Sequence, residues 1–217
     1  DNVRIGEDAG DAIVSGGVNN VLIGKNAGTA ITTGDSNVAI GTEALMTEDE
    51  HANNVAIGQH ALRMQNAGQD AYNVAVGYYA GAVISTGVHN TLIGGLAGDA
   101  LTDADDNVAL GVNALSSDTK GNKSTAIGRT ALQAQNFTTA TDTFNVAVGF
   151  EAGAAVTTGV YNTLIGGRAG DALTDADENV ALGYNALSTD TLGSHSVAVG
   201  PYALQTQNFT TATDSFN

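Results

Sequence analysis

The chain contains no Cys and no Trp, a single Pro, and only 5% aromatic residues among its 217. Without Cys there is no disulfide framework to stand in for a core, and the redox compartment is left open. With so few aromatic groups, any core must be assembled from Ala, Val, Ile and Leu, which makes it thin. Positive charge is scarce as well: seven Lys and Arg face 23 Asp and Glu, a net charge of −16. Such a surface repels phosphate backbones and anionic headgroups, so neither nucleic acid nor a membrane surface is expected as a partner. No apolar run approaches the roughly 18 residues that span a bilayer. No basic and apolar leader opens the chain, so no targeting segment is expected within it.

What the chain has in abundance is repetition. Residues 90 to 111 read NTLIGGLAGDALTDADDNVALG, and residues 162 to 183 repeat the string with two changes. Aligned on Asn-Val-Ala-Ile-Gly, twelve rungs open at Asn2, Asn20, Asn37, Asn54, Asn73, Asn90, Asn107, Ser124, Asn145, Asn162, Asn179 and Ser196. Gly follows every opening by four residues, from Gly6 to Gly200, and Ala by seven, from Ala9 to Ala203. The next position alternates more slowly: Gly10, Gly28, Leu45, Leu62, then Gly81, Gly98, Leu115, Leu132, then Gly153, Gly170, Leu187, Leu204. Most rungs have 17 residues and every fourth is longer, which divides one repeat array, residues 1–217, into cassettes 2–72, 73–144 and 145–216. The last two cassettes are identical at 53 of 72 positions, and Asn217 reads as the start of a thirteenth rung. A fixed period of this length means a solenoid, in which each rung buries its apolar face only by stacking on the next.

The expected fold is all-β, a parallel β-solenoid with strands about 4.8 Å apart. Within the motif, the position after Asn holds Val in nine rungs and Thr in three, and two residues on comes only Ile, Val or Leu. Both project from one face of an extended strand, and that face is expected to line the coil. The residue between them is Ala in eight rungs, Leu in three and Arg4 in one. It is expected to face outward and to meet another copy of the chain, which predicts a tight homo-oligomer. Gly at the fourth position is expected to turn the chain at positive φ. A second short strand is expected over residues 80–84 and 97–102. The opening Asn or Ser is expected to form a stacked ladder of side-chain amides.

The string NVAIG with Ala at a fixed offset resembles the head repeats of YadA-like trimeric autotransporter adhesins. The longer rungs, such as AITTGDSNVAIG at 30 to 41 and AAVTTGVYNTLIG at 154 to 166, are similar to phage tail-fibre repeats. The resemblance covers all twelve rungs. It implies a left-handed β-roll, a homotrimer, and a structural role as the shaft or head of an extracellular attachment fibre. A phage tail fibre engaged in host adhesion comes first and a bacterial surface adhesin second; the implied partner is a host-surface glycan or protein.

Candidate residues concentrate in the loops. The long fourth-rung loops carry Asn136, Phe137 and Phe144, and again Asn208, Phe209 and Phe216. Aromatic groups among amides can form a carbohydrate or protein contact surface; the alternative is that each Phe folds back over the open side of the coil. Asp103, Asp105, Asp175 and Asp177 could offer oxygen ligands to Ca²⁺. The equivalent rung of the first cassette keeps only one such residue, Asp35, so the acids are read as a solvated edge that limits lateral aggregation. His51, His60, His89 and His195 are read as surface residues that share no column. No cofactor and no catalytic constellation is expected. A Ca²⁺-binding solenoid ranks below a fibre, and so does an ice-binding one, because Thr pairs such as Thr32 and Thr33 recur only once per cassette.

Overall fold

A computed structural model describes all residues 1–217. The chain is a parallel β-solenoid without helices, so no helix is long and apolar enough to cross a membrane. Each rung contributes one three-residue strand, from Val3–Ile5 in the first to Val197–Val199 in the twelfth, and the strands stack in chain order into a single 12-stranded sheet. Register is in phase throughout: Val108, Ala109 and Leu110 lie against Thr125, Ala126 and Ile127 of the next rung. At about 4.8 Å per rung the stack is roughly 58 Å long. The long loops add two small parallel pairs, Gly121–Asn122 with Thr141–Asp142 and Gly193–Ser194 with Thr213–Asp214. Asn217 takes the place of a rung opener, its carbonyl accepting from the Val197 amide at 2.9 Å.

The strand faces the opposite way from the sequence expectation. Ala39, Ala56, Ala75, Ala109 and Leu92 are completely buried in the single chain, whereas Ile93 and Leu110 remain 36% and 41% exposed. The middle residue points into the coil and the Val and Ile columns point out. The cause is lateral space. Ala27, Ala97 and their equivalents project inward from the opposite wall and are also fully buried, so the coil is too narrow to hold two columns of β-branched side chains as well. A second strand does not form over 80–84 or 97–102. Tyr79 and Gly81 both adopt positive φ, at 57° and 58°, which breaks an extended conformation into turns. The rungs still bond there, Gly81 donating to the Ala97 carbonyl at 3.0 Å.

Core packing explains the four-rung cassette. Leu22, Leu92 and Leu164 are the only large apolar residues at the middle strand position, and each wedges between two glycines. A Cβ on Gly81 would stand 2.7 Å from Leu92 Cδ1, and one on Gly98 would stand 2.8 Å from Leu92 Cδ2. The same holds for Gly10 and Gly28 around Leu22, and for Gly153 and Gly170 around Leu164. The glycine rungs complete their core with Ile31, Ile84, Leu101, Val156 and Leu173. In the rungs that carry Leu in place of that glycine, Leu45, Leu62, Leu115, Leu132 and Leu187 fill the coil instead, opposite a middle Ala.

Those Leu rungs bury polar groups at the place the aliphatic residues vacate. Asp118 accepts from the Gly121 and Phe137 amides at 3.1 and 3.0 Å and from Gln135 Nε2 at 2.6 Å. Gln135 in turn donates to Ser124 at 2.8 Å and accepts from Asn145 at 2.9 Å. Asp190 and Gln207 repeat the arrangement. Buried charge of this kind is tolerable because its oxygens are satisfied.

The opening Asn column forms the expected ladder. Asn37, Asn54 and Asn107 donate their amides to Oδ1 of Asn20, Asn37 and Asn90 at 2.9, 3.0 and 3.0 Å. In most rungs Nδ2 reaches across the coil to a carbonyl 14 residues on, as Asn107 does to Gly121 at 2.9 Å, whereas Asn54 donates to the Ala52 carbonyl instead. The invariant Gly has two reasons: at Gly94 φ is +139°, and a Cβ would lie 2.5 Å from the Gly111 carbonyl oxygen.

Two classes of substitution should separate in urea unfolding. Leu92→Ala leaves a cavity between two glycines and is expected to cost about 2–5 kcal/mol. Gly94→Ala is expected to cost at least ~2 kcal/mol from its backbone conformation alone. Val108→Lys, on the outer face, should change the stability of the isolated chain by no more than about 0.5 kcal/mol.

Candidate functional site

The residue before each opening Asn is a corner in the left-handed region, from Asn19 at φ 60° to Phe216 at φ 48°. This turn sends the side chain away from the coil, so successive residues form one exposed column along an edge of the rod. From the fifth rung the column reads Tyr72, His89, Asp106, Lys123, Phe144, Tyr161, Glu178, His195, Phe216. Bulky residues are uncommon at positive φ, and here the stack of neighbours holds them.

Within the column, rings pair across adjacent rungs. Phe144 and Tyr161 are stacked at 5.5 Å with 12° between planes, Tyr72 and His89 at 5.9 Å, and His195 and Phe216 at 5.0 Å. Charges fill the intervals. Lys123 pairs with Asp142 and lies 5.3 Å from the Phe144 ring centre. His195 stands 3.4 Å from Glu178 and 3.2 Å from Asp214, and His89 3.4 Å from Asp106. The edge thus alternates flat ring pairs with acid and base, and ring pairs one cassette apart are separated by about 19 Å at ~4.8 Å per rung.

The sequence-predicted aromatic residues divide. Phe144 and Phe216 belong to this column and are 45% and 74% exposed. Phe137, at 8%, folds back instead: its amide holds Asp118 and its carbonyl accepts from Thr119 at 2.7 Å. Phe209 is half-buried and packs where a side chain on Gly193 would lie. Asn136 and Asn208 are exposed beside Thr119 and Thr191, whose hydroxyls approach their Oδ1 atoms at 3.3 and 3.5 Å. Tyr72 and Tyr161 belong to the site without having been expected there; their position one residue before Asn is the signal that identifies them. His89 and His195 share this same column, which corrects the reading of the histidines as unrelated in offset.

The acidic candidates serve neighbouring rungs, two of them the backbone. Asp105 and Asp177 accept from the Val88 and Val160 amides, both at 2.8 Å, and so cap the preceding rung. Asp103 lies 3.6 Å from Lys120, and Asp175 accepts from the Thr158 hydroxyl. The Thr32 hydroxyl is likewise spent on the Asp49 carbonyl at 3.1 Å. A second run of rings follows the invariant glycines, where Tyr184 and Tyr202 meet edge to face at 5.5 Å. No enclosed pocket interrupts the rod, so both aromatic runs are open surfaces. Comparison with protein families, curated proteins and solved structures finds no match to this chain.

Asp99 and Asp171 lie half-buried in equivalent rungs, each with one carboxylate oxygen enclosed and without a partner. Burial pushes both carboxyls above the ordinary aspartate range, with Arg168 pulling Asp171 partly back. A carboxyl raised in the folded chain takes up its proton more readily there than in the unfolded chain. Its folded form therefore loses stability as pH rises from the ordinary value near 4 through the raised one. The melting temperature should increase as pH falls through the raised value towards the ordinary one near 4, and the Asp99→Asn, Asp171→Asn double variant should show a flatter profile over that window.

Proposed function

We propose that the chain is a non-enzymatic shaft segment of a homotrimeric extracellular attachment fibre of the phage tail-fibre kind, which holds glycan-contacting edges along a stiff rod. The observation that carries this reading is the outer face of the sheet. From the second rung on, columns of Val or Thr and of Ile, Val or Leu run along the outer face of the rod, half-buried by the stacked rungs and still 36%, 41% and 41% exposed at Ile93, Leu110 and Ile165. A contiguous apolar strip of that length on a soluble protein marks an interaction surface. The strip repeats in register with the rungs, and a second copy of the same strip is the surface that matches it at every rung. Three copies is the number that the resembling repeats imply.

The rest of the surface agrees with exposure to a host. A net charge of −16 keeps the outside of such fibres from associating laterally. The stacked rings at Phe144 and Tyr161, flanked by Lys123, Asp142 and Glu178, offer a sugar an exposed apolar ridge with hydrogen-bonding groups on either side.

Sedimentation velocity should give three times the 21.8 kDa chain mass at micromolar concentration. Ile93→Lys combined with Leu110→Lys should give a folded single chain by circular dichroism. A wild-type chain that sediments as a monomer at tens of micromolar would remove the proposal. On an array of bacterial surface polysaccharides, Phe144→Ala with Tyr161→Ala should reduce binding at least tenfold while Phe150→Ala, on the other aromatic run, leaves it intact.

A further inference from the structure

The Leu-bearing rungs of the first cassette differ from those of the other two in their buried polar group. Glu48 occupies the position of Asp118 and Asp190, Gln65 that of Gln135 and Gln207, and His51 that of Gly121 and Gly193. In the later cassettes the buried carboxylate is fully engaged by a glutamine amide and two backbone amides. In the first it is not. Glu48 is completely buried, its Oε1 accepts from the Asp49 and His51 amides at 3.2 and 3.3 Å, and its Oε2 has no partner. Gln65 Nε2, the counterpart of the amide that answers Asp118, is also enclosed without an acceptor.

What has been added is a ligand set. The carboxylates of Glu48 and Asp49 and the imidazole of His51 bring three donor atoms within 4.8 Å of one another. The His51 ring nitrogen Nδ1 already lies 3.2 Å from Glu48 Oε1. The loop that carries them is fixed on both sides: the Asp49 carbonyl accepts from the Thr32 amide at 2.7 Å, and the His51 carbonyl accepts from Asn37 Nδ2 at 2.9 Å. Asp49 and His51 are half-buried, so the group opens to solvent on the side away from Glu48.

We propose that Glu48, Asp49 and His51 bind one divalent transition-metal ion of the Zn²⁺ class, which neutralises the buried carboxylate and staples the loop between the third and fourth rungs. One imidazole and two carboxylates suit Zn²⁺, with a fourth position left for water. They suit Ca²⁺ poorly, since it takes six or more oxygen ligands. The site has no counterpart in the other cassettes, where Gly121 and Gly193 replace the histidine.

The test is calorimetric titration of the EDTA-stripped 217-residue chain with ZnCl₂, and separately with CaCl₂. The expected result is one Zn²⁺ per chain, bound at least tenfold more tightly than Ca²⁺, with a higher melting temperature in the loaded form. His51→Ala and Glu48→Gln should each weaken Zn²⁺ binding at least a hundredfold and abolish the melting shift, while Asp103→Asn on the acidic edge changes neither. Circular dichroism of the metal-free variants establishes that they remain folded. Cobalt substitution adds a readout independent of stability: the wild-type chain should develop visible absorption bands that His51→Ala lacks. Absence of saturable Zn²⁺ binding overturns the proposal. So does binding that survives both variants, or that is lost with Asp103→Asn, since either would assign the ion to diffuse surface charge.

Discussion

The coil is barely more than one side chain wide, and most of the structure follows from that dimension. Two walls each send a column of Ala or Leu inward, and every large residue must be answered by a small one. Leu92 is admitted because Gly81 and Gly98 lie beside it; Leu45 and Leu62 are admitted because Ala39 and Ala56 face them. Interiors close-packed to this degree feel the addition or loss of single methylenes. The sequence therefore repeats in cassettes of four rungs, although the backbone repeats every rung.

Narrowness also decides where the bulk of the hydrophobic strand goes. The narrow strand-facing side of the core takes Ala, or Leu where glycines flank it, so the Val and Ile columns of the strand fall on the outer face of the sheet, where β-branched residues still favour the extended backbone. The same solenoid thereby gains an apolar strip along its full length. Its polar demands are met within the wall: the opening Asn residues satisfy backbone amides between rungs, and the positive-φ corners throw Tyr72, Phe144, Tyr161 and Phe216 outward on one edge. Interior, apolar outer face and exposed aromatic edge are three consequences of one cross-section.

Much of this is legible in the residues. The Gly column, the Asn ladder and the rung count follow from periodicity alone, because backbone approach and side-chain amide stacking impose themselves identically on every rung. The sense of the strand does not, since alternation between Val, Ala and Ile is apolar on both faces and only relative size distinguishes them. The pairing of Leu22 with Gly10 and Gly28, repeated at Leu92 and Leu164, carries that information. The aromatic edge is hidden differently: Phe137 and Phe144 share a loop, and only the left-handed corner before Asn145 separates an exposed ring from a buried one. Glu48, Asp49 and His51 escape a search by column because their departure from the repeat is what brings them together.

The inward and outward assignment is tested most directly by thiol labelling, since the chain has no native Cys. In Val108→Cys the thiol should react with maleimide in the dissociated chain, or cross-link to a second copy on oxidation. In Ala109→Cys it should stay unreactive until the protein is denatured. Rapid native labelling at position 109, together with protection at position 108 in dissociated chains, would contradict the account.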